Sequence, residues 1–435
     1  MTMSNLERDL QRRALEGRPI TVAIVGAGQM GKGLAASLAR IVGMQPALIA
    51  DIDDRRAERA FLEAGVDAGK IVQGRDAKDA QRALKAGNHV ILKDAALIPQ
   101  EGIEAVVEAT GVPAVGARVA LDSIRRRQHL VLLNVETDVT VGRLLNTWAR
   151  AAGVVYTVSA GDEPGATVEL VEFARTLGFE VIAAGKGKNN TLDPGATPDS
   201  VRSEAKSKGA SPHMFCSFVD GSKTMVEMTA VANATGLEPE RPGMRGPELK
   251  VDDLAAAYRL EEQGGFLTRT GVVDYVHGIA PGVFVVITTA SGVIRDDMAY
   301  LKVGPGPNWT LYRPYHLANL ETPHSIAKAV LYHDVTIAPG EIPVAETVGV
   351  AKRDLSRGTV IDGIGGYTVR GWMLSRKDAL ASRAVPLGIL EGAEVIRDVP
   401  AGGLLTEDDV RLDGSSLTVM LRKLQEAWLA PAART

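Results

Sequence analysis

Three glycines near the start of the chain have the spacing of a phosphate-binding loop. Gly26, Gly28 and Gly31 form the pattern G-x-G-x-x-G, after an apolar run that begins at Thr21 and before a helical segment that reaches Leu38. In a dinucleotide site the first glycine permits a tight turn, the second lets the backbone approach a pyrophosphate, and the third lets the helix pack close to the strand. The stretch therefore predicts a strand, a phosphate loop and a helix that bind a dinucleotide.

Residues after the loop bear on the type of cofactor. Gln29 and Met30 begin the predicted helix, whose N-terminal N–H groups can bind the phosphates. A second apolar strand ends at Asp51, where a carboxylate can accept hydrogen bonds from the ribose hydroxyls of NAD and repel a 2′-phosphate. Alternatively, Asp51 or the acid two residues later caps the next helix, and Arg55 with Arg56 holds the 2′-phosphate of NADP. We expect NAD or NADP as the cofactor, with NAD favoured.

Two pairs of charged residues in the middle of the chain are candidate catalytic residues. Asp162 and Glu163 are adjacent acids that can hold a divalent metal such as Mg²⁺ or Mn²⁺, or orient a substrate hydroxyl; alternatively, they stabilise a helix N-terminus. Lys186 and Lys188 alternate with glycines in a predicted loop, 185–190. As donors to a carbonyl that becomes an alkoxide they would be electrostatic or proton-donating catalysts, and the alternative is a solvated basic loop.

Further polar residues complete the candidate substrate site. Asn189 and Asn190 end the same loop and are expected to bind substrate. Arg313 and His316, in the sequence Arg-Pro-Tyr-His, suit an anion such as phosphate, although a structural arginine and a core histidine are the alternative. Lys223 lies in a predicted hairpin turn between two predicted strands, FCSFV and TMVEMTAVA, where it is either a ligand or a surface lysine.

The elements that must position these residues follow from the apolar pattern. Buried runs at 90–92, 105–107 and 130–133 alternate with helical segments, which predicts a parallel, doubly wound α/β sheet. Ligands of such sheets bind outside the carboxyl ends of the strands. The strand ends at 108–111 and 134–136 are therefore expected to contact the cofactor, through Thr110, Gly111, Asn134 and Glu136.

Length and composition restrict the class of protein. The chain has 435 residues, 45% of them hydrophobic and 23% charged, with a net charge of -4 that gives no case for nucleic-acid or acidic membrane partners. The single cysteine, Cys216, suits a reducing compartment. The N-terminal segment has helical spacing of leucines and no apolar core of a secretory signal, and no apolar run approaches the length of a membrane span. We expect a cytoplasmic, multidomain protein.

The chain order suggests three domains. Residues 1–153 are predicted to form the dinucleotide-binding domain, and 154–338 a substrate domain whose last helix can return to the first. A β-rich domain is expected over 339–435, in which the similar segments 354–358 and 399–402 form paired turns, before a terminal helix over 417–429.

Several longer motifs resemble those of a known family. The stretches are GDEP at 161–164, GKGKNN at 185–190, DGSKTMVEM at 220–228, GVVDY at 271–275 and RPYH at 313–316. They resemble the deoxyxylulose-phosphate-reductoisomerase-like oxidoreductases, which are similar to homoserine dehydrogenases with a C-terminal SAF domain. The resemblance implies a Rossmann domain, an α/β substrate and dimerisation domain in a homodimer or higher homo-oligomer, and a SAF domain. Reductoisomerase members rearrange a ketose phosphate and reduce the product with NADPH.

One departure from that family shapes the functional hypothesis. The second strand ends in Asp51-Ile-Asp-Asp, where a basic, phosphate-tolerant segment is expected in reductoisomerase members. We therefore expect an NAD(P)-dependent oxidoreductase that acts on a small anionic, phosphorylated sugar or polyol. The alternatives are a homoserine dehydrogenase-type enzyme, a catabolic sugar or polyol dehydrogenase without isomerisation, and a cofactor-binding protein without turnover.

Overall fold

The structure, a computed structural model, describes residues 4–429 and contains two compact units. The first unit comprises the described residues up to Asp162, together with Leu317–Ala338 and the chain from Lys423. The second unit comprises Glu163–His316 and Pro339–Arg422. The β-rich segment that we predicted from residue 339 thus shares a compact unit with most of the predicted substrate domain.

The first unit alternates strands and helices. Its elements are α1 (Asn5–Leu15), β1 (Ile20–Val25), α2 (Gln29–Leu38), β2 (Met44–Ala50), α3 (Asp54–Glu63), β3 (Ile71–Gln73), α4 (Ala77–Lys85), β4 (His89–Leu92), β5 (Ala105–Glu108), α5 (Pro113–Arg126), β6 (His129–Leu132), α6 (Val135–Ala152) and β7 (Tyr156–Val158). The strands form one sheet in the order β3-β4-β2-β1-β5-β6-β7, and all neighbouring pairs are parallel. The predicted doubly wound α/β sheet is confirmed, because the strand order reverses between β1 and β5.

The sheet differs from the sequence prediction at one strand, and a helix that the prediction allowed to return to the first unit does so. The segment from Val154 was predicted to open a new unit, but β7 pairs with β6, with Leu130 opposite Tyr156. A later helix, α13 (Ala318–Tyr332), also belongs to the first unit and packs on α2, where a Cβ at Gly33 would lie 2.4 Å from the side chain of Asn319. Ile326 of α13 is fully buried in the same core as β1 and β2.

The second unit is built from a mixed sheet, helices and a β-rich C-terminal part. Its elements are α7 (Glu163–Thr176), β8 (Glu180–Lys188), α8 (Arg202–Ser207), α9 (Pro212–Val219), α10 (Ser222–Thr235), β9 (Glu238–Pro239), α11 (Leu254–Ala257), β10 (Val272–His277), β11 (Val283–Thr288), α12 (Gly292–Tyr300), β12 (Asn308–Arg313), β13 (Ala345–Ala351), β14 (Val369–Ser375), α14 (Arg376–Ala381), β15 (Glu394–Val395) and β16 (Val410–Arg411). The last helix, α15 (Leu417–Leu429), has the predicted bounds.

The main sheet of the second unit has the order β12-β11-β8-β10-β9. Strand β8 pairs in parallel with β10 and antiparallel with β11. It continues through Lys188, so the lysine segment that we predicted as a loop is a strand. The glycines of that segment permit close neighbours, since a Cβ at Gly185 would lie 1.8 Å from the carbonyl oxygen of Asp274. At Gly187 a Cβ would lie 2.5 Å from the backbone nitrogen of Ala280.

The predicted hairpin around residues 220–224 is wrong, because its two arms are helices. The turn contains Gly221, whose φ of +88° precedes α10. Helix α10 is buried on most sides, including Met225, Met228 and Val231. A helix surrounded by protein shows no polar face, so its β-branched and apolar residues give no helical period in the sequence.

The C-terminal part of the second unit contains the predicted paired turns. Leu355 and Val399 exchange two backbone hydrogen bonds, with N···O distances of 2.8 and 2.9 Å. The backbone N–H of Ala401 also donates to Oδ1 of Asp354, at 2.8 Å. Strands β13 and β14 form an antiparallel pair through all seven of their residues.

No helix in the described part of the chain combines the length and the apolar character needed to cross a membrane.

Candidate active site

The glycine loop has the geometry that the sequence predicts. Gly26 lies at a φ of +95°, which favours glycine, and its N–H donates to the carbonyl of Ala50 at 2.8 Å. A Cβ at Gly31 would lie 1.8 Å from the carbonyl oxygen of Gly26, so only glycine lets α2 approach the loop this closely. These two glycines are therefore required by the fold of the loop itself.

Gly28 is different, because no neighbour among residues 4–429 requires a glycine there. Its φ is -67°, and no heavy atom lies within 4 Å of a Cβ built on it. The open space stands at the N-cap of α2, where the N–H groups of Gln29 and Met30 begin the helix. A helix N-terminus behind an open backbone position fits a cofactor pyrophosphate.

Asp51 follows β2 and has a role that the sequence did not reveal. Its Oδ2 accepts a hydrogen bond from the N–H of Ala27 at 2.6 Å, and its Oδ1 accepts one from the N–H of Asp53 at 2.8 Å. The carboxylate thus holds the glycine loop while retaining acceptor capacity for further donors. Asp53 is the residue that caps α3, through the N–H of Arg55.

The two strand ends predicted to contact the cofactor lie at the carboxyl edge of the sheet. Glu108 ends β5 beside β1 and is fully buried, and burial raises its pKa to about 7. It accepts hydrogen bonds from the N–H and the hydroxyl of Thr110, and Gly111 follows at a φ of +70°.

At the second strand end, both side-chain groups of Asn134 bond to the protein backbone. Its Oδ1 caps α6 by accepting from the N–H of Thr137 at 3.1 Å, and its Nδ2 donates to the carbonyl of Val112. Glu136 is buried in the first turn of α6.

A buried charged cluster lies in the second unit around Lys186. The Lys186 ammonium donates to Oε1 of Glu163 at 2.7 Å and to Oε2 of Glu227. Burial by itself would lower the pKa of Lys186, but the two glutamates outweigh it and raise that pKa above its ordinary value. Burial and the charge of Glu163 raise the pKa of Glu227. Lys186 is therefore a fixed positive charge.

Lys188 lies on the same face of β8, two residues further on. Its ammonium donates to the carbonyl of Phe218 at 2.9 Å, and among the residues described no carboxylate contacts it directly. Burial, followed by the charge of Lys186, lowers the pKa of Lys188 to about 8. A lysine with that pKa can donate and accept a proton near neutral pH.

The structure brings His316 to this cluster and leaves Arg313 at its edge. His316 Nε2 lies 3.5 Å from Oε2 of Glu163, and Nδ1 lies 2.8 Å from the carbonyl oxygen of Pro281. Arg313 Nη1 pairs with Glu169 at 3.0 Å. Arg313 thus has a carboxylate partner within the protein already, while His316 is in contact with the buried glutamate.

Four predicted residues remain, namely Asp162, Lys223, Asn189 and Asn190. Asp162 directly precedes Glu163, the first residue of α7, so acids do stand at the helix N-terminus. Lys223 is in the first turn of α10. Its positive charge opposes, without cancelling, the rise in the pKa of Glu227 that burial and Glu163 cause. Asn189 and Asn190 follow the end of β8, the first exposed and the second half-buried.

Glu227 is the residue that the sequence reasoning missed. It lies within the motif 220–228, four residues after Lys223, a spacing that places both side chains on one side of a helix. The assignment of this segment to a strand concealed that spacing.

Comparison with known proteins supports an oxidoreductase. A family model described as "Oxidoreductase DRL, catalytic domain" matches residues 161–322. No curated protein matches significantly. The match agrees with the oxidoreductase activity that the resemblance implied, and it gives no support to the reductoisomerase reaction or to the SAF assignment.

Solved structures with similarity to the chain include three dehydrogenases or oxidoreductases. One, described as a probable dehydrogenase from Thermotoga maritima, is 14% identical, with a TM-score of 0.43 over 74% of this chain and 92% of its own. A UDP-N-acetylglucosamine 3-dehydrogenase from Acidithiobacillus ferrooxidans is 12% identical, with a TM-score of 0.40 over 73% and 91%. An oxidoreductase from Agrobacterium radiobacter, solved with NAD⁺, L-tartaric acid and magnesium, is 13% identical, with a TM-score of 0.30 over 40% of this chain and only 45% of its own.

The dinucleotide-binding geometry of the first unit and the catalytic-domain match together define the class of protein: the chain is an NAD(P)-dependent oxidoreductase. The alternative of a cofactor-binding protein without turnover is set aside. The matched domain, residues 161–322, contains the Lys186 cluster.

Proposed function

We propose that this protein is a dehydrogenase that interconverts a hydroxyl and a carbonyl group in a small anionic, phosphorylated sugar or polyol, with Lys188 as the proton-transfer residue. The observation that carries the proposal is the pair of buried lysines on one face of β8, one fixed by two glutamates and the other without a carboxylate in contact. The two lysines supply different functions, one a permanent charge and the other a transferable proton.

Removal of hydride from an alcohol carbon is accompanied by loss of the hydroxyl proton, and reduction of a carbonyl needs a proton for the developing alkoxide. When bound, the nicotinamide supplies or accepts the hydride. Lys188, with a pKa of about 8, exchanges the proton with the substrate oxygen. Lys186 remains an ammonium ion and stabilises negative charge on that oxygen. His316, in contact with Glu163, helps to orient the acid.

NAD is the proposed cofactor in preference to NADP. The carboxylate of Asp51 is held beside the glycine loop by two backbone N–H groups, so it cannot easily turn away from a ribose bound there. A phosphate at the ribose 2′ position would be repelled by that carboxylate. Arg56 is the alternative ligand for the 2′-phosphate of NADP, and it pairs with Asp53 at 3.3 Å. Because a carboxylate already neutralises its charge, this ion pair also favours NAD.

The second candidate function is a reductoisomerase, in which a divalent metal would chelate adjacent oxygens of the substrate. Its supporting observation is the convergence of the Glu163 and Glu227 carboxylates, which are hard oxygen ligands. The ammonium of Lys186 occupies the position between them, however, and its raised pKa keeps it charged. A metal cation there would be repelled by that ammonium, so the proposed dehydrogenase reaction has no step through the Mg²⁺ or Mn²⁺ site predicted at Asp162 and Glu163, which stays a prediction.

A substrate screen with matched variants tests the proposal. Phosphorylated sugars, polyols and homoserine are assayed with both nicotinamide cofactors, and the best substrate is then used to compare Lys188→Ala with Lys206→Ala, a variant of an exposed lysine in α8. Loss of turnover in the first variant alone is expected. Full turnover by Lys188→Ala, or a rearranged carbon skeleton whose formation stops on chelation, contradicts the proposal.

A further inference from the structure

Two side chains of β10 lie beside the two lysines of β8. In the parallel register Tyr275 is paired with Lys186, and His277 is paired with Lys188. Paired residues of neighbouring strands point to the same face of a sheet, so all four side chains share one face. Burial and the charge of Lys188 lower the pKa of His277, while Glu248 acts in the opposite direction. The neutral imidazole that burial favours has one N–H donor.

Tyr275 has a hydroxyl positioned by a close backbone contact. A Cβ at Gly246 would lie 2.4 Å from that hydroxyl oxygen, so glycine there makes room for the phenol. The rings of Tyr275 and His277 are 5.6 Å apart, edge to face. Within residues 4–429 no side chain or backbone group forms a hydrogen bond with the Tyr275 hydroxyl.

Arg370 in β14 brings a positive charge to the same region. Its guanidinium stacks on the ring of Trp372, 4.8 Å from the centroid, and is half-buried. Burial lowers its pKa, while the nearby groups Asp220 and Tyr275 act in the opposite direction. Asp220 is already engaged, since its Oδ2 lies 2.7 Å from the ammonium of Lys352. In the described chain no carboxylate contacts Arg370 directly.

We propose that Arg370, Tyr275 and His277 bind the anionic group of the substrate as a phosphate-ester subsite next to Lys188. The inference rests on the proposed function for the choice of substrate, and it differs from the sequence prediction in replacing Arg313 as the anchor. Arg313 pairs with Glu169, whereas no hydrogen bond or ion pair joins the Arg370 guanidinium to another described residue.

The chemistry of the subsite favours a phosphate over a carboxylate. Lys188 and Arg370 are two cations without a carboxylate in contact, so a dianion balances the local charge better than a monoanion. Phosphate also offers three oxygens, which match the planar guanidinium fork, the phenolic hydroxyl and one imidazole N–H. A carboxylate would leave part of this donor set unused.

The subsite gives the β-rich C-terminal part of the chain a direct role in substrate binding. Strand β14 is fixed to α10 by the N–H of Gly371, which donates to Oγ of Ser222 at 2.8 Å. The indole of Trp372 lies against Gly243, where a Cβ would be only 2.1 Å from the ring. The stacked Arg370 is therefore held in place from two sides.

Binding of inorganic phosphate to the full chain, measured by isothermal titration calorimetry, tests the subsite without turnover. The variants are Arg370→Gln, Tyr275→Phe, the rival Arg313→Gln, and Arg353→Gln as a control at an exposed position. We expect Arg370→Gln to weaken phosphate binding at least about tenfold, as loss of a charge-assisted contact would. The Tyr275 variant is expected to lose several-fold, and the other two to bind like the wild type. Far-UV circular dichroism and urea unfolding like those of the wild type show that each variant is folded.

Wild-type affinity for phosphate in Arg370→Gln overturns the proposal, as does loss of binding in Arg313→Gln alone. Acetate binding as tightly as phosphate, and in an Arg370-dependent way, overturns the choice of a dianion. The Tyr275→Phe variant removes one oxygen atom and keeps the phosphate result interpretable if Arg370→Gln fails to fold. Turnover that persists in Lys188→Ala would refute the proposed function while leaving this binding result untouched.

Discussion

Replacing Lys188 with methionine should stabilise the protein while it abolishes turnover. The side chain is only 6% exposed and has no carboxylate in contact among the described residues, so its ammonium charge is held in a poorly solvated position. Methionine has a similar length, fills the same space and carries no charge. Removal of the Lys188 ammonium should therefore increase the free energy of unfolding, because the folded protein no longer has to bury that charge.

The magnitude follows from the lowered pKa. A fall from the ordinary lysine value of 10.5 to about 8 corresponds to about 3 kcal/mol of unfavourable free energy at pH 7. The hydrogen bond to the carbonyl of Phe218 is lost in the variant, which costs about 1 kcal/mol. The free energy of unfolding should therefore increase by about 2 kcal/mol.

The sign of the pH dependence is fixed by the direction of the shift. Because the folded pKa lies below the unfolded one, the unfolded chain binds more protons between pH 8 and 10.5, and wild-type stability rises through that window. At pH 9.5 the cost of the buried charge falls to about 1.4 kcal/mol, so the advantage of Lys188→Met should fall from about 2 kcal/mol to nearly zero.

Urea unfolding at pH 7.0 and 9.5 measures both quantities, with Lys206→Met as the matched control. Lys206 is exposed in α8, and its substitution should change neither stability nor turnover. A Lys188→Met protein that is less stable than the wild type at pH 7, or one whose gain does not depend on pH, would refute the argument that this ammonium is buried without compensation.

Four further results are expected. Gly28→Val should weaken NAD(H) binding at least about tenfold with an unchanged unfolding midpoint, because no heavy atom lies within 4 Å of the new Cβ; unchanged affinity in calorimetry would exclude the loop. Carbonyl reduction should fall as the pH rises through about 8 and alcohol oxidation should rise, while a flat profile would exclude Lys188. Asp51→Asn should raise the NADP-to-NAD ratio of kcat/KM, and an unaltered ratio would contradict the role of the carboxylate. Exhaustive chelation should leave turnover intact, and lost activity restored by Mg²⁺ would favour the reductoisomerase.

The first unit could be predicted well from the sequence because its signals are local. Each parallel strand is buried on both faces and appears as a short apolar run, and the glycine spacing depends on contacts within a few residues. Asp51 shows the limit of this approach. Its position after β2 was evident, but the hydrogen bond to Ala27 joins residues 24 positions apart and needed the structure.

The second unit was less predictable because its charged residues are buried. Lys186 and Lys188 alternate with glycines, which is typical of a solvated loop, and only the approach of Asp274 and Ala280 to those glycines reveals a strand. Buried lysines at strand positions contradict the usual link between charge and exposure. A local pattern cannot distinguish a lysine paired with Glu227 on a distant helix from a lysine in water.

Helix α10 shows most directly how the parts of the second unit depend on one another. Three of its side chains bond to the C-terminal strands: Ser222 Oγ accepts from Gly371, Thr229 Oγ1 lies 2.8 Å from that of Thr347, and Asn233 Oδ1 accepts from Ala345. Positions 222, 229 and 233 recur at helical spacing, so they share one side of the helix. Glu227 lies off that row and reaches Lys186. The strands that carry Arg370 therefore also anchor the helix that fixes the charge of Lys186, and through that charge they contribute to the lowered pKa of Lys188.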